Sequence, residues 1–236
     1  MAEELGKIEK PEASKFAGKK KLYMVPLVFT WQDAPADYTD KYHRYWQQIG
    51  EQISYLESRI GRIKHVFHES IAVGGEAGLK IVEKLSPDAF KLASQKQKQG
   101  AGFEPLEDEE LVSESLDWQR MLLLGFASAK VAKMVTDYYT EAIRKRYEQI
   151  SHRLGKAIGK SEASLLFIRE GHMVQFPADI EVFSVSPPAL DEINRWLKDQ
   201  EHSQQAPKTE PEAEKPKQKA AESKAKKKKP KSKGKD

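Results

Sequence analysis

The sequence predicts an α/β protein in which a mixed sheet is layered with helices. Short apolar runs rich in β-branched and aromatic residues alternate with longer segments in which apolar residues recur at three- and four-residue steps. Glycine or proline stands near most of the boundaries between them. Strands that alternate with helices in this way form sheets with helices packed on their faces, so we expect a layered architecture.

The first two predicted elements are a strand and an amphipathic helix. Residues 22–31 have the composition of a strand, and Pro26 predicts an edge position or a bulge, because proline cannot donate to a strand ladder. From Tyr38 onward the apolar spacing becomes helical, and Gly61 ends that helix.

The middle of the chain predicts a strand, a glycine turn and three helices. Residues 63–73 form the strand, and residues 74–78 are a Gly-Gly-Glu-Ala-Gly turn into the first helix. Ser86 and Pro87 begin the second helix as N-cap and first helical residue, and the acidic residues 107–110 begin the third. The buried side of the third helix is expected to consist of Leu111, Leu116, Met121 and Leu124.

The last part of the chain predicts the longest helix and the hairpin that makes the sheet mixed. A helix of about thirty residues ends at a glycine and is expected to cross the whole domain. Residues 164–169 are a continuous apolar run typical of a buried strand, and a tight turn at 170–171 predicts an antiparallel hairpin with residues 173–177. A strand at 179–185 and a closing helix to about Gln200 complete the pattern.

The basic character of the chain is confined to its end. Residues 208–236 contain twelve lysines against five acidic residues, a net charge of +7, while the whole chain is +4, so the preceding part sums to −3. This segment has no large apolar residue and cannot bury enough surface to fold. We therefore divide the chain into a flexible polar N-terminus (1–20), a single α/β domain (21–200) and a disordered basic tail (201–236).

The lysines of the tail are the strongest indication of a binding partner. Lysines on a flexible segment neutralise phosphates and release counterions, which favours salt-sensitive, sequence-independent binding of RNA or DNA. A solubilising tail without a dedicated partner is the alternative. The nucleic-acid-binding candidates are Lys226, Lys227, Lys228, Lys229, Lys231, Lys233 and Lys235.

The composition also bears on the compartment. Cysteine is absent, which excludes disulfides, thiolate nucleophiles and cysteine metal sites and is typical of a reducing compartment. The beginning of the chain has no signal-peptide pattern, and no apolar run is long enough to span a bilayer. We therefore expect a soluble cytoplasmic protein without a membrane partner.

Histidine and acidic residues around the second strand are candidates for chemistry. His65 and His68 form an HxxH pattern, but residues three apart on a strand point to opposite faces, so we expect no metal site. No cofactor motif is recognised either. A hydrolase would use His68, Glu69 and Glu76 as acid and base, whereas half-buried, hydrogen-bonded residues are the alternative explanation of the first two.

The glycine turn is a candidate anion-binding loop. Gly74, Gly75 and Gly78 lie between a strand and a helix, where backbone N–H groups and the positive helix end favour anions. Glu76 would place a negative charge where a phosphate should lie, and the GK[ST] of a P-loop is missing. A tight structural turn is therefore the alternative.

The turn of the predicted hairpin is a further candidate contact. Arg169 and His172 flank it and would be exposed to a partner there. Hairpin turns are polar in any case, which is the alternative explanation.

Four segments resemble a family of uncharacterised prokaryotic proteins that carries no transferable activity. The segments are 66–70, 74–76, 165–172 and 187–193, and the resemblance covers about residues 22–199. More distantly, Gly74-Gly75-Glu76 is similar to the Gly-Gly-Gln loop of archaeal and eukaryotic-type peptide-chain release factors, which enters the ribosomal peptidyl-transferase centre. The long helix and the strand after it are similar to the later α/β domain of those factors. Position 76 departs from the pattern, because Glu76 is an anion where the factors have a neutral amide.

Three functional hypotheses remain. The first is a binding protein for RNA or a ribonucleoprotein such as the ribosome, with the tail as a non-specific tether and the loop at 74–78 as the directed contact. The second is a hydrolase acting on a phosphorylated or ester substrate. The third is an assembly or scaffold protein that uses the long helix, and an exposed apolar patch on that helix would favour it.

Overall fold

The computed structural model describes residues 13–205, and its centre is a five-stranded sheet of order β3-β2-β4-β1-β5. All pairings between these strands are parallel, and the predicted α/β class is confirmed. Residues 1–12 and 206–236, and with them most of the predicted flexible N-terminus and basic tail, lie outside the described residues. The elements are β1 (Lys20–Pro26), α1 (Ala36–Arg59), β2 (Ile63–His68), α2 (Gly75–Leu85), α3 (Pro87–Lys98), β3 (Gly102–Phe103), α4 (Glu109–Leu123), α5 (Ala129–Ala157), β4 (Ala163–Ile168), β5 (Ile180–Ser184) and α6 (Pro188–Gln205).

Helices cover both faces of the sheet, as a parallel sheet requires. One face packs against α1, α2, α3 and α6 through a large apolar cluster that includes the aromatic side chains of Tyr23 and Phe167. The other face packs against the second half of α5 and the segment between β4 and β5, through Ile150, Leu154 and Val174. The side chains of β4 alternate between the two clusters, which is why every residue of this strand is buried and its sequence is almost entirely apolar.

The two longest helices are amphipathic. α1 has 24 residues and buries a stripe of aromatic and aliphatic side chains that begins at Tyr38 and ends at Ile53. α5 has 29 residues, a length of about 43 Å at 1.5 Å per residue. None of the helices within residues 13–205 is long and apolar enough to cross a lipid bilayer.

The antiparallel hairpin that the sequence predicts after β4 does not form. β4 lies between β2 and β1 and is hydrogen-bonded to both, so it has no free edge for residues 173–177. Those residues run along α5 without strand structure, and Val174 packs with Ile150 and Leu154 on the face of the sheet. The described sheet is therefore parallel where a mixed sheet was expected.

Pro26 occupies an internal strand, contrary to the edge position that it predicts. β1 is paired with β4 on one side and β5 on the other. Pro26 is its last residue, and the next residue, Leu27, already donates its N–H to the carbonyl of Ile168. Pro26 has no N–H to donate, and because it is the last residue of β1, the missing hydrogen bond lies at the end of this strand.

α4 packs on the first half of α5 and forms with it a helical arm, which we define as α4 together with residues 129–142. The least exposed positions of the two helices recur at four- and three-residue steps, the spacing of a two-helix seam. They are Leu111, Ser115, Trp118 and Leu122 of α4 and Ala132, Val135, Tyr139 and Ala142 of α5. The indole of Trp118 stacks on the ring of Tyr138, with centroids 4.9 Å apart.

The buried side predicted for α4 is wrong at three of its four positions. Leu111 lies in the seam, but Leu116, Met121 and Leu124 are exposed. A helix that packs against a single partner buries only a narrow seam, and residues one step away from it stay in solvent.

Leucines at the two ends of this architecture should differ sharply in their contribution to stability. Leu154, in α5 under the sheet, is fully buried, whereas Leu123, at the end of α4, is 82% exposed. We expect Leu154→Ala to lower the free energy of unfolding by about 2–5 kcal/mol, and Leu123→Ala by no more than about 0.5 kcal/mol. Urea denaturation followed by circular dichroism measures both, and similar losses in the two variants would contradict the assignment of the core.

Candidate functional site

The strand order creates a crevice at the carboxyl ends of β2 and β4. The chain leaves β2 toward β3 and leaves β4 toward β5, so the two connections diverge from neighbouring strands. In open α/β sheets such a switch point is where ligands bind. Three charged residues lie directly after strands at this edge: Glu69 after β2, Glu107 shortly after β3 and Arg169 after β4.

A buried arginine from α5 closes this crevice. The Arg146 guanidinium donates through Nε and Nη2 to the two carboxylate oxygens of Glu107, the Nη2 contact measuring 2.6 Å. Nη2 also lies 3.5 Å from Oε1 of Glu69 and 3.4 Å from the hydroxyl of Ser70. Arg146, Glu107 and Glu69 are each at most 3% exposed. Three side chains from three elements thus meet without solvent between them.

The carboxylate of Glu69 also holds the end of β4. Its Oε1 accepts from Nε of Arg169 at 2.5 Å, and its Oε2 accepts from the backbone N–H of Arg169 at 2.8 Å. The backbone N–H of Ser70 donates to Glu107 at 2.7 Å, and Ser70 has a positive φ of 68°, a conformation that is uncommon for a residue with a side chain. The carboxylates therefore fix backbone as well as side chains.

The network is electrically balanced, with two carboxylates against Arg146 and Arg169. Burial acts to lower the pKa of Arg146, but its hydrogen bonds to Glu107 and the charges of Glu107 and Glu69 outweigh burial and raise the pKa. Both carboxylates have their oxygens occupied by N–H donors, so neither is placed as an open acid or base. The arrangement is suited to holding three strand ends and α5 together.

His68, the candidate general base, lies beneath this network. It is 2% exposed, and its Nδ1 is 2.5 Å from the backbone carbonyl oxygen of Glu69, so Nδ1 carries the proton. Its Nε2 is buried and has no hydrogen-bond partner among the described residues. Burial lowers the pKa of His68, although the carbonyl of Glu69 and the carboxylates of Glu69 and Glu107 act in the opposite direction. His68 is therefore a neutral core residue at pH 7.

The two histidines of the HxxH pattern lie apart, as the strand spacing predicts. His65 is partly exposed between two carboxylates, with Nδ1 3.3 Å from Glu104 and Nε2 3.3 Å from Glu162. Within residues 13–205 no group of three or more histidine, cysteine or acidic side chains could hold a metal ion.

The glycine turn packs so closely against β3 that there is no room for side chains at Gly74 and Gly78. A Cβ on Gly78 would lie 2.2 Å from the carbonyl oxygen of Val73 and 2.6 Å from the ring of Phe103, and one on Gly74 would lie 2.9 Å from the carbonyl oxygen of Phe103. Gly75 has a φ of +64°, which favours glycine. The fold itself thus explains why glycine occupies these three positions. Glu76 is exposed in the first turn of α2, and none of the hydrogen bonds or ion pairs of the described residues joins it to His68 or Glu69.

Arg169 and His172, the predicted turn contacts, are placed differently from each other. Arg169 binds Glu69, and 45% of its side chain is exposed. The Nε2 of His172 is 3.1 Å from the sulfur of Met24, its Nδ1 is buried without a hydrogen-bond partner among the described residues, and burial lowers its pKa. Both line a small cavity of about 200 Å³ at the carboxyl edge of the sheet.

Sequence reasoning missed Glu107, Arg146 and Arg153, whose guanidinium donates to the backbone carbonyl of Glu107. A signal for Arg146 does exist. The buried positions of α5 are Val135, Ala142, Arg146, Ile150 and Leu154, so a charged residue stands in the apolar stripe itself. A charge at such a position must find a buried partner. The identity of that partner could not be read from spacing, because Glu107 lies on another element.

Comparison with the known protein families, with curated proteins and with solved structures found no match to this chain. The resemblance to release-factor domains therefore stays a prediction.

The burial of His68 predicts a pH dependence of stability. Its folded pKa lies below the value of about 6.5 in an unfolded chain, so the unfolded state binds the proton more tightly. The stability contributed by neutral His68 is complete above about pH 6.5 and is lost as the pH falls below that value, by up to about 1.4 kcal/mol per pH unit. Burial also lowers the pKa of His172, so this residue likewise makes the protein less stable as the pH falls.

The test compares His68→Gln with His43→Gln, since His43 is exposed on α1. Urea denaturation between about pH 7.5 and pH 5 should show a shallower pH slope for His68→Gln and an unchanged slope for His43→Gln. An unchanged slope for His68→Gln would contradict the buried neutral state.

Proposed function

We propose that the protein is an assembly protein that associates with a second copy of itself through the helical arm. The observation that supports this is an apolar surface on the arm that stays largely exposed within the described residues. We call it the arm stripe. It consists of Met121 of α4, Leu124 directly after α4, and Val131, Met134 and Tyr138 of α5, with exposed fractions of 39%, 83%, 44%, 46% and 51%.

The arm stripe is continuous along α5. Val131, Met134 and Tyr138 follow each other at three- and four-residue steps, so they lie on one side of the helix. This stripe runs one residue out of register with the seam of Val135 and Ala142 that packs on α4. α5 thus carries two parallel apolar stripes. The seam packs on α4, whereas the second stripe contacts α4 through the stacking of Tyr138 on Trp118 and leaves Val131 and Met134 exposed. An exposed contiguous apolar surface of this kind typically marks a protein interface.

The charges of the arm favour a second copy as the partner. The outer surface of α4 is acidic, with Glu109, Glu110, Glu114 and Asp117 against a single Arg120. The α5 part of the arm has no net charge, with Lys130 and Lys133 against Asp137 and Glu141. A two-fold interface that sets α4 of one copy over α5 of the other places the acidic α4 beside a neutral segment that contains Lys130 and Lys133, rather than beside a second acidic α4. The product is a four-helix bundle whose core is two copies of the arm stripe.

Charges placed in the arm stripe should therefore abolish dimerisation. We expect the wild-type protein to have the mass of a dimer in sedimentation experiments at about 10–100 μM, and Val131→Glu with Met134→Glu to weaken the dimer at least about tenfold. The matched control is Thr136→Glu with Thr140→Glu, which adds the same two charges at exposed positions on the opposite side of α5. A monomeric wild type, or equal effects of the stripe and control variants, would refute self-association.

We also propose RNA binding by the tail as a second function, supported by the net charge of +7 in residues 208–236. The acidic balance of the preceding part makes the tail the main electrostatic attraction for a polyanion, in the cytoplasm that the composition favours. The ribosome remains the candidate ribonucleoprotein, and the exposed Gly75 and Glu76 of the glycine turn remain the candidate directed contact.

Replacement of the seven lysines between 226 and 235 by glutamine tests this second function at unchanged chain length. We expect the affinity for single-stranded RNA at low salt to fall at least about tenfold, and the dependence of log affinity on log salt to become shallower, because fewer counterions are released. Fluorescence anisotropy measures both quantities. The reference is the wild-type protein under the same salt series, and equal slopes would assign RNA binding to residues outside 226–235.

The hydrolase hypothesis gains no support from the geometry. His68 is buried, both oxygens of Glu69 accept hydrogen bonds from Arg169, and Glu76 belongs to a separate surface. It stays a prediction.

A further inference from the structure

A wide cleft separates α5 from the segment that follows β4. Its volume is about 920 Å³, within the range of small-molecule sites. The apolar part of its wall consists of Tyr139, Ile143 and Tyr147 on one side and Met173 and Pro177 on the other. This cleft lies on the side of α5 opposite the arm stripe, so the two surfaces are independent.

The charged part of the wall favours an anion. Arg144, Lys156 and Arg169 line the cleft, and Glu148 is the single acidic residue that does so. Glu148 is already bound by Arg144. Arg144 also pairs with Glu141, and Arg169 pairs with Glu69. Lys156 forms no ion pair with any other described residue, so it carries the unbalanced positive charge of the cleft.

Arg169 is the cation of the cleft that is anchored to the buried network. Its Nε and its backbone N–H are both held by the carboxylate of Glu69, which is itself buried and in contact with Arg146. The guanidinium is therefore fixed at its inner end. Its two Nη groups have no hydrogen-bond partner among the described residues, and 45% of the side chain is exposed. A planar fork held in this way is suited to binding an oxyanion with two parallel hydrogen bonds.

We propose that this cleft binds an amphipathic organic oxyanion, a molecule with one carboxylate, sulfonate or phosphate group on an aromatic or alkyl body. The oxyanion binds to the Nη groups of Arg169, and Lys156 adds to the attraction. The apolar body packs between the tyrosines of α5 and Met173. The oxyanion and the apolar body of such a ligand each contact a part of the wall with suitable chemistry. A neutral apolar molecule would form no ionic hydrogen bonds with the cations of the wall.

The dye 1-anilinonaphthalene-8-sulfonate is a direct probe, because it has one sulfonate on an aromatic body and fluoresces when bound. Its uncharged relative N-phenyl-1-naphthylamine separates the contribution of charge from that of apolar burial. We expect the wild-type full-length protein to bind the anionic dye saturably at one site per chain and more tightly than the neutral dye. Dodecanoate should compete with it.

Two variants locate the site. Met173 is 72% exposed, so Met173→Glu adds a negative charge to the cleft with little effect on folding. This variant should lower the affinity for the anionic dye at least about tenfold and change the affinity for the neutral dye much less. Arg169→Lys keeps a cation beside Glu69 but removes the fork, and it should lower the preference for the anionic dye.

The control is Met134→Glu, which places the same charge on the arm stripe. It should leave the affinity for the anionic dye unchanged. The proposal is overturned if the wild type shows no saturable binding, if Met173→Glu and Arg169→Lys bind the dye as the wild type does, or if Met134→Glu is the variant that abolishes binding. The last result would assign the dye to the arm stripe.

Discussion

The position of α5 depends on a single buried guanidinium. Arg146 stands in the apolar stripe of this helix, where an unpaired charge would cost several kcal/mol, so the carboxylates of Glu107 and Glu69 must lie beside it. Because those carboxylates follow β3 and β2, the requirement ties one helix to the ends of two neighbouring strands. Glu69 extends the constraint to β4 through Arg169.

Two unlike surfaces follow on either side of that contact. Before Arg146, α5 leaves the sheet and pairs only with α4, and a helical pair buries a narrow seam, so the arm stripe stays in solvent. After Arg146, the helix covers the sheet through Ile150 and Leu154. The segment after β4 lies along the same helix, and the cleft remains between them. Different sides of α5 thus pack on the sheet, pair with α4 and line the cleft.

Several elements could be predicted because their signals are local. The helical spacing after Tyr38, the acidic start of α4 and the continuous apolar run of β4 depend on residues close together in the chain, and the structure has these elements where expected. The hairpin after β4 failed for a reason that is not local. Its turn residues are favourable, but β1 and β2 already occupy both edges of β4. Likewise, Leu116 and Leu124 have helical spacing, and only the number of partners of α4 decides that they are exposed.

Composition and spacing by themselves determined the α/β class, the segregation of lysines at the end of the chain and the amphipathic helices, because these properties depend on residue type and short-range periodicity. The order of the strands, the meeting of Glu69, Glu107 and Arg146, and the exposure of the arm stripe were decided only by the tertiary structure. Each of these depends on which elements are neighbours in the fold. The sequence pattern shows which residues share a face of an element, but it does not show which element packs against that face.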